Sequence, residues 1–250
     1  LFYLFLSACL YGDQLAGSQP NILFILTDDQ GKGDLSCMGN PVLRTPNLDK
    51  LHALSTRFDD FHVSPTCSPT RGALMSGRSP FEVGISHTIR QRDHLALDVV
   101  TFPQALQAAG YKTGIFGKWH LGDQPEFMPL AQGFDTYFGI PYSNDMWPGN
   151  KRGNPVTNRG PYEPLPVMLQ NKAVAHISDD YDQALLAEVI TDEAIKFIRK
   201  NKKEPFFCFI PHSHVHGPRF ARPKFLQRAE GNVNRAHIEE VDDSIGRVLN

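Results

Sequence analysis

The sequence predicts an α/β fold: a doubly wound, mostly parallel sheet with helices on both faces. Three runs predict it. Asn21-Ile22-Leu23-Phe24-Ile25-Leu26-Thr27, Tyr111-Lys112-Thr113-Gly114-Ile115-Phe116 and Glu204-Pro205-Phe206-Phe207-Cys208-Phe209-Ile210-Pro211 are short, and the first and last are nearly continuous in apolar residues. Strands covered on both faces have such a composition, because neither side meets water. Helical patterns separate the runs, as crossovers between parallel strands require. Each run also ends in residues able to do chemistry: Asp28-Asp29-Gln30-Gly31, Gly117-Lys118-Trp119-His120-Leu121-Gly122, and His212 to His216. In open α/β sheets, ligands bind beyond the carboxyl ends of the strands.

The 250 residues can bury one large core, and 41% hydrophobic with 21% charged residues is ordinary globular composition. A net charge of −2 gives no basis for a nucleic-acid partner or a polybasic membrane surface. Leu1-Phe2-Tyr3-Leu4-Phe5-Leu6 is too short to span a bilayer. Residues 1–17 are therefore expected to be the remnant of a secretory signal peptide, leaving 18–250 as catalytic-domain sequence. Leu6-Ser7-Ala8-Cys9 resembles a bacterial lipoprotein processing box, which would make Cys9 a lipid anchor. Four cysteines, Cys9, Cys37, Cys67 and Cys208, form no disulfide framework. The absence of an Asn-x-Ser/Thr sequon favours export to the periplasm or the extracellular space over lysosomal delivery.

Along the chain, Thr45 reads as an N-cap with Pro46 at the first helical position, and Leu48, Leu51 and Leu54 make an apolar stripe read as core. Thr101-Phe102-Pro103-Gln104 opens a helix with a capping box, and Gly110 closes it. Asn144 to about Val174 is rich in Pro, Gly and Asn without periodicity, and is expected to be a long surface loop that shapes substrate choice. Asp182 to Lys200 is an amphipathic helix burying Leu186, Ile190, Ala194 and Phe197. Cys208 belongs to core. Ile238, Val241, Ile245 and Val248 form a helical stripe still running at Asn250.

The chemistry centres on Ser64-Pro65-Thr66-Cys67-Ser68-Pro69-Thr70-Arg71-Gly72, extended to Gly77-Arg78. Ser68 reads as an N-cap before Pro69, which places Cys67 at a helix N-terminus, where N–H groups and the macrodipole favour negative charge. Arg71 adds a cation on the same turn. Asp28 and Asp29, adjacent at a strand end, suit a hard oxygen-ligated ion such as Ca²⁺ or Mg²⁺. Lys118 and His120, two apart in extended chain, point to one side. One could hold an anion while the other moves a proton. His212, His214 and His216 alternate, and spacing alone would allow zinc.

Cys67-x-Pro69-x-Arg71 with Gly77-Arg78 closely resembles the type I sulfatase signature. Asp28-Asp29-Gln30-Gly31, Gly117-Lys118-Trp119-His120-Leu121-Gly122, Gly139-Ile140-Pro141-Tyr142-Ser143 and Val215-His216-Gly217-Pro218 extend the resemblance, the third toward the arylsulfatase A branch. The resemblance implies an alkaline phosphatase-like fold and hydrolysis of a sulfate monoester of an aryl or carbohydrate alcohol. It implies that a formylglycine-generating or sulfatase-maturing enzyme converts Cys67 to formylglycine, whose hydrate attacks sulfur. It further implies that Asp28 and Asp29, with residue 67, hold Ca²⁺ or Mg²⁺, and that Arg71 and Lys118 stabilise charge. His216 would protonate the leaving alcohol, His120 would release sulfate, and Ser143 would bind substrate. His212 and His214 are left as supports behind the site or as structural residues, and Gly217 departs from the bulkier residue common there. A further Asp, an Asn or Gln and a second lysine belong to a later strand in that family, so the chain is expected to be an amino-terminal portion. Two other classes share these residues: a phosphonate monoester or phosphodiester hydrolase using formylglycine, and a non-catalytic binder of sulfated glycans.

Overall fold

The computed structural model describes residues 18–89, 94–150 and 162–250. Residues 1–17, the expected leader with Cys9, and the middle of the 144–174 segment lie outside the described residues. Strands β1 (Ile22–Leu26), β2 (Lys112–Lys118), β3 (Thr136–Ile140), β4 (Leu165–Leu169), β5 (Lys172–Ile177) and β6 (Phe206–Pro211) form a sheet in the order β1-β6-β2-β3-β4-β5. β1, β6, β2 and β3 are parallel, while β4 and β5 add an antiparallel hairpin at one edge.

Side chains of a strand point alternately to opposite faces, and here both faces are apolar. Phe207 and Phe209 of β6 join Phe24, Leu26 and Ile115 on one side; Phe206, Cys208 and Ile210 join Leu23, Ile25 and Phe116 on the other. Helices cover both. The first face receives Leu74 and Met75 of α2 (Cys67–Ser76) and Phe102 and Leu106 of α3 (Phe102–Ala108). The second receives Leu186, Ile190, Ala194 and Phe197 of α4 (Asp180–Asn201). The doubly wound expectation and the core face of α4 both hold. So does the Thr101 capping box: Thr101 Oγ1 accepts from the Gln104 amide and Gln104 Oε1 from the Thr101 amide.

Two expectations are corrected and a third is refined. The 144–174 segment is not all loop, since it contains β4 and the start of β5; an edge hairpin with Pro166 and an exposed β5 carries no buried-strand signal. In α1 (Pro46–Leu54) only Leu48 packs inward, while Leu51 and Leu54 are 38% and 79% exposed. Thr45 is the N-cap residue of α1 with Pro46 after it, as expected, but its side chain makes no capping hydrogen bond; the hydroxyl accepts from the Ser36 amide and donates to Asp49. A carboxylate from far along the chain does that work: Asp242 accepts from the amides of Asn47 and Leu48. Asp242 lies on α6 (Val233–Leu249), which follows the short α5 (Pro223–Arg228). Its neighbours Glu239 and Glu240 are likewise buried and structural, paired with Arg235 and Arg222.

Candidate active site

Pairing between the parallel strands continues past their ends. The His212 amide donates to Leu26 O at 2.8 Å, the Asp28 amide to His214 O at 2.8 Å, and the Val215 amide to Asp28 O at 2.7 Å. Beyond β2 and β3, Trp119 and His120 donate to Ile140 O and Pro141 O, each at 3.0 Å. Asp28 and His120 are therefore carried on strand extensions fixed by backbone hydrogen bonds, Lys118 is the last residue of β2, and His216 follows the tethered Val215. Gly117, just before Lys118, is the close-approach point. A Cβ there would lie 2.0 Å from Pro211 O on β6, and its φ of +139° suits glycine alone.

Three charged side chains meet in the interior. Asp28 Oδ2 lies 2.6 Å from Lys118 Nζ and 3.0 Å from Arg71 Nη2. Arg71 Nη1 also donates to Lys118 O, and Lys118 Nζ to Ser143 Oγ at 3.1 Å. All four residues are buried. Burial pushes the Asp28 carboxyl up, but Lys118 and Arg71 outweigh it and hold the pKa at about 2. Two cations against one buried carboxylate leave a net positive charge where water screens little.

Cys67 is the first residue of α2, and Thr66, not Ser68, is the N-cap residue. The sequence-based capping role of Ser68 is thus corrected. Ser68 is fully buried, and its Oγ accepts from the Ile89 amide at 3.1 Å. Cys67 Sγ lies 3.2 Å from His120 Nδ1, and His120 Nε2 lies 3.2 Å from Ile89 O. A carbonyl can only accept, so Nε2 carries the proton and Nδ1 offers its lone pair to Cys67. Burial first, then the charges of Lys118 and Arg71, push the His120 pKa well down, so the ring is neutral. His120 sits at φ +62°, and Asp29 at φ +56°, in the left-handed region that few non-glycine residues enter. The extended-chain argument for Lys118 and His120 therefore does not apply, because His120 is not in extended backbone. A turn at His120, not strand alternation, aims the ring at Cys67.

His216 Nε2 lies 3.6 Å from Asp29 Oδ2, and its Nδ1 donates to Gly217 O. His212 and His214 turn away and are buried. The His214 ring stacks on His237 at 4.0 Å, and His212 Nε2 faces Ser244 Oγ at 3.4 Å. Burial lowers the His212 pKa to about 4 and pushes that of His214 well down. Among the described residues, no three His, Cys, Asp or Glu side chains converge on a point where an ion could sit. The zinc alternative left open by spacing has no support in this arrangement.

A family model described as Sulfatase matches residues 20–250. The chain belongs to the sulfatase family. It is 34% identical over 265 residues to dog N-acetylgalactosamine-6-sulfatase, covering 98% of the chain and 49% of the relative. With human arylsulfatase A it shares 34% identity over 246 residues, 92% of the chain and 48% of that protein. Among solved structures, the PsFucS1 sulfatase from Pseudoalteromonas sp. superposes with a TM-score of 0.83 at 26% identity, covering 95% of this chain and 53% of that one. The chain spans about half the length of the curated relatives it matches.

In this sulfatase-family chain, Arg71, Asp28, Lys118 and Ser143 form one linked cluster whose charges reach His120, Cys67 contacts His120, and Asp29 pairs with His216. A divalent cation fits the donor type of the two aspartates. Both ion pairs of Asp28 use Oδ2, and Asp29 is exposed. They supply only part of the roughly six to eight oxygens that calcium takes. Sequence reasoning missed the Ser68–Ile89 contact. Nothing local to Ser68 signals an amide 21 positions away.

Proposed function

We propose that the protein hydrolyses sulfate monoesters, with formylglycine made from Cys67 as nucleophile and Ca²⁺ or Mg²⁺ held by Asp28 and Asp29. The observation that carries this reading is the contact of Cys67 with the neutral face of His120, beside a buried, net positive Arg71–Asp28–Lys118 cluster. The hydrated aldehyde would supply a nucleophile that keeps a second hydroxyl after the first has reacted, and the cation would supply Lewis-acid charge. The chain's own residues do the rest. Arg71 and Lys118 attract and orient the sulfate oxygens, with Ser143 holding the Lys118 ammonium in place. His120 Nδ1 takes a proton from residue 67. His216, with Nδ1 tied to Gly217 O, presents Nε2 to the leaving alcohol. The kinship with N-acetylgalactosamine-6-sulfatase supports a sulfated sugar as substrate, and an aryl sulfate serves as the activated probe. The apolar leader supports export to the periplasm or extracellular space.

The test is to produce the protein together with a formylglycine-generating enzyme, weigh the residue 67 peptide, and assay aryl, monosaccharide and glycosaminoglycan sulfates beside phosphonate monoesters. A lighter residue 67 with sulfate ester turnover that vanishes in a folded Cys67→Ala variant is expected. Preference for the phosphonate, or undiminished turnover in Cys67→Ala, overturns the proposal.

A further inference from the structure

We infer that Ser68 is a positioning residue that sets the tautomer of His120 through Ile89. Residue 89 is held at three points. Its side chain is buried in the core, its amide donates to Ser68 Oγ at 3.1 Å, and its carbonyl accepts from His120 Nε2 at 3.2 Å. Ser68 is itself fully buried on the first turn of α2, one residue after Cys67. A rigid helix turn therefore carries both the group that reacts and the hydroxyl that fixes the orienter of its base.

The consequence is chemical. A neutral imidazole has one N–H, and the two tautomers are of similar energy unless a partner selects one. Ile89 O selects Nε2–H, which leaves Nδ1 as an acceptor 3.2 Å from residue 67. If the 89 backbone turned, Nε2–H would lose its acceptor. The alternative tautomer would then point an N–H at residue 67, where it can donate but cannot take a proton. Ser68 Oγ is the acceptor that holds the amide of residue 89. This inference deepens the proposed mechanism by naming what fixes its base, but it rests only on contacts made with Cys67 as the thiol.

The experiment follows from that. The protein with unconverted Cys67 is labelled with ¹⁵N-histidine, and the ring nitrogens of His120 are identified by their loss in His120→Gln. In the wild type, His120 is expected as the Nε2–H tautomer. Ser68→Thr, which keeps the hydroxyl, is expected to match it. Ser68→Ala is expected to shift the tautomer ratio toward Nδ1–H by about 2- to 12-fold, the worth of one net hydrogen bond. Should Ser68→Ala not fold, Ser68→Cys keeps the volume with a much weaker acceptor, and the same shift is expected. A wild-type ring carrying its proton on Nδ1 overturns the inference without any variant. So does an unchanged ratio in Ser68→Ala or Ser68→Cys, or a Ser68→Thr shift as large as that of Ser68→Ala. Because the readout needs neither formylglycine nor turnover, it stands or falls apart from sulfate ester hydrolysis.

Discussion

Asp28→Asn keeps the shape of the side chain and removes the carboxylate that Lys118 and Arg71 share. The effect on stability can be bounded from two sides. A carboxyl held at about 2 against 3.8 in the unfolded chain contributes on the order of 2–3 kcal/mol at neutral pH. Removing it also leaves two cations, 0% and 3% exposed, without their counter-charge. Breaking a buried pair in this way costs about 3–5 kcal/mol. At about 2–4 °C per kcal/mol for a chain of this size, the melting temperature should fall by roughly 6–20 °C. The pH dependence has a definite sign. The folded pKa lies below the unfolded one, so the contribution is full above about pH 5 and is lost as pH falls from 4 toward 2. Calorimetric melts of wild type and Asp28→Asn in chelator, at pH 7 and near pH 2.5, should therefore show a wide gap that narrows in acid. A gap below about 1 °C at pH 7, or one that widens in acid, would refute the charge balance drawn for the site.

Three further outcomes are expected. Gly117→Ala places a methyl 2.0 Å from Pro211 O and should cost more than 3 kcal/mol in denaturant melts, whereas Gly33→Ala, with nothing within 4 Å, should stay within about 0.5 kcal/mol of wild type. Asp242→Ala removes the carboxylate that serves the amides of Asn47 and Leu48, and should lower stability by about 2–3 kcal/mol and speed hydrogen exchange at those two amides selectively. In the matured protein, His216→Ala should slow hydrolysis of alkyl or sugar sulfates at least tenfold more than that of activated aryl sulfates, which need little protonation; equal losses would place the acid elsewhere.

The central strands were legible because burial on both faces leaves an unbroken apolar run, as in Phe206 to Ile210. The β4–β5 hairpin was not, because an edge strand such as Lys172–Ile177 is mostly exposed and its composition is that of a loop. At the site, residues such as Asp28, Lys118 and His120 announce themselves by their chemistry at strand ends. Ser68 was misassigned for the opposite reason. Its hydroxyl has a local role that propensity can supply and a distant one, at Ile89, that only folding reveals. Leu54 failed likewise: helical spacing says which residues share a face, not whether anything covers it.

The backbone hydrogen bonds that run past the ends of β1 and β6 join Asp28 to His214 and Val215. The two loop tips are thereby geared together: the carboxylates and His216 ride on one plate, while Cys67 and His120 stand on others. A substitution that tilts Asp29 must carry His216 with it. Changes at these two positions should therefore not add as independent sites do. A double variant would report the stiffness of the plate as much as the chemistry of either side chain.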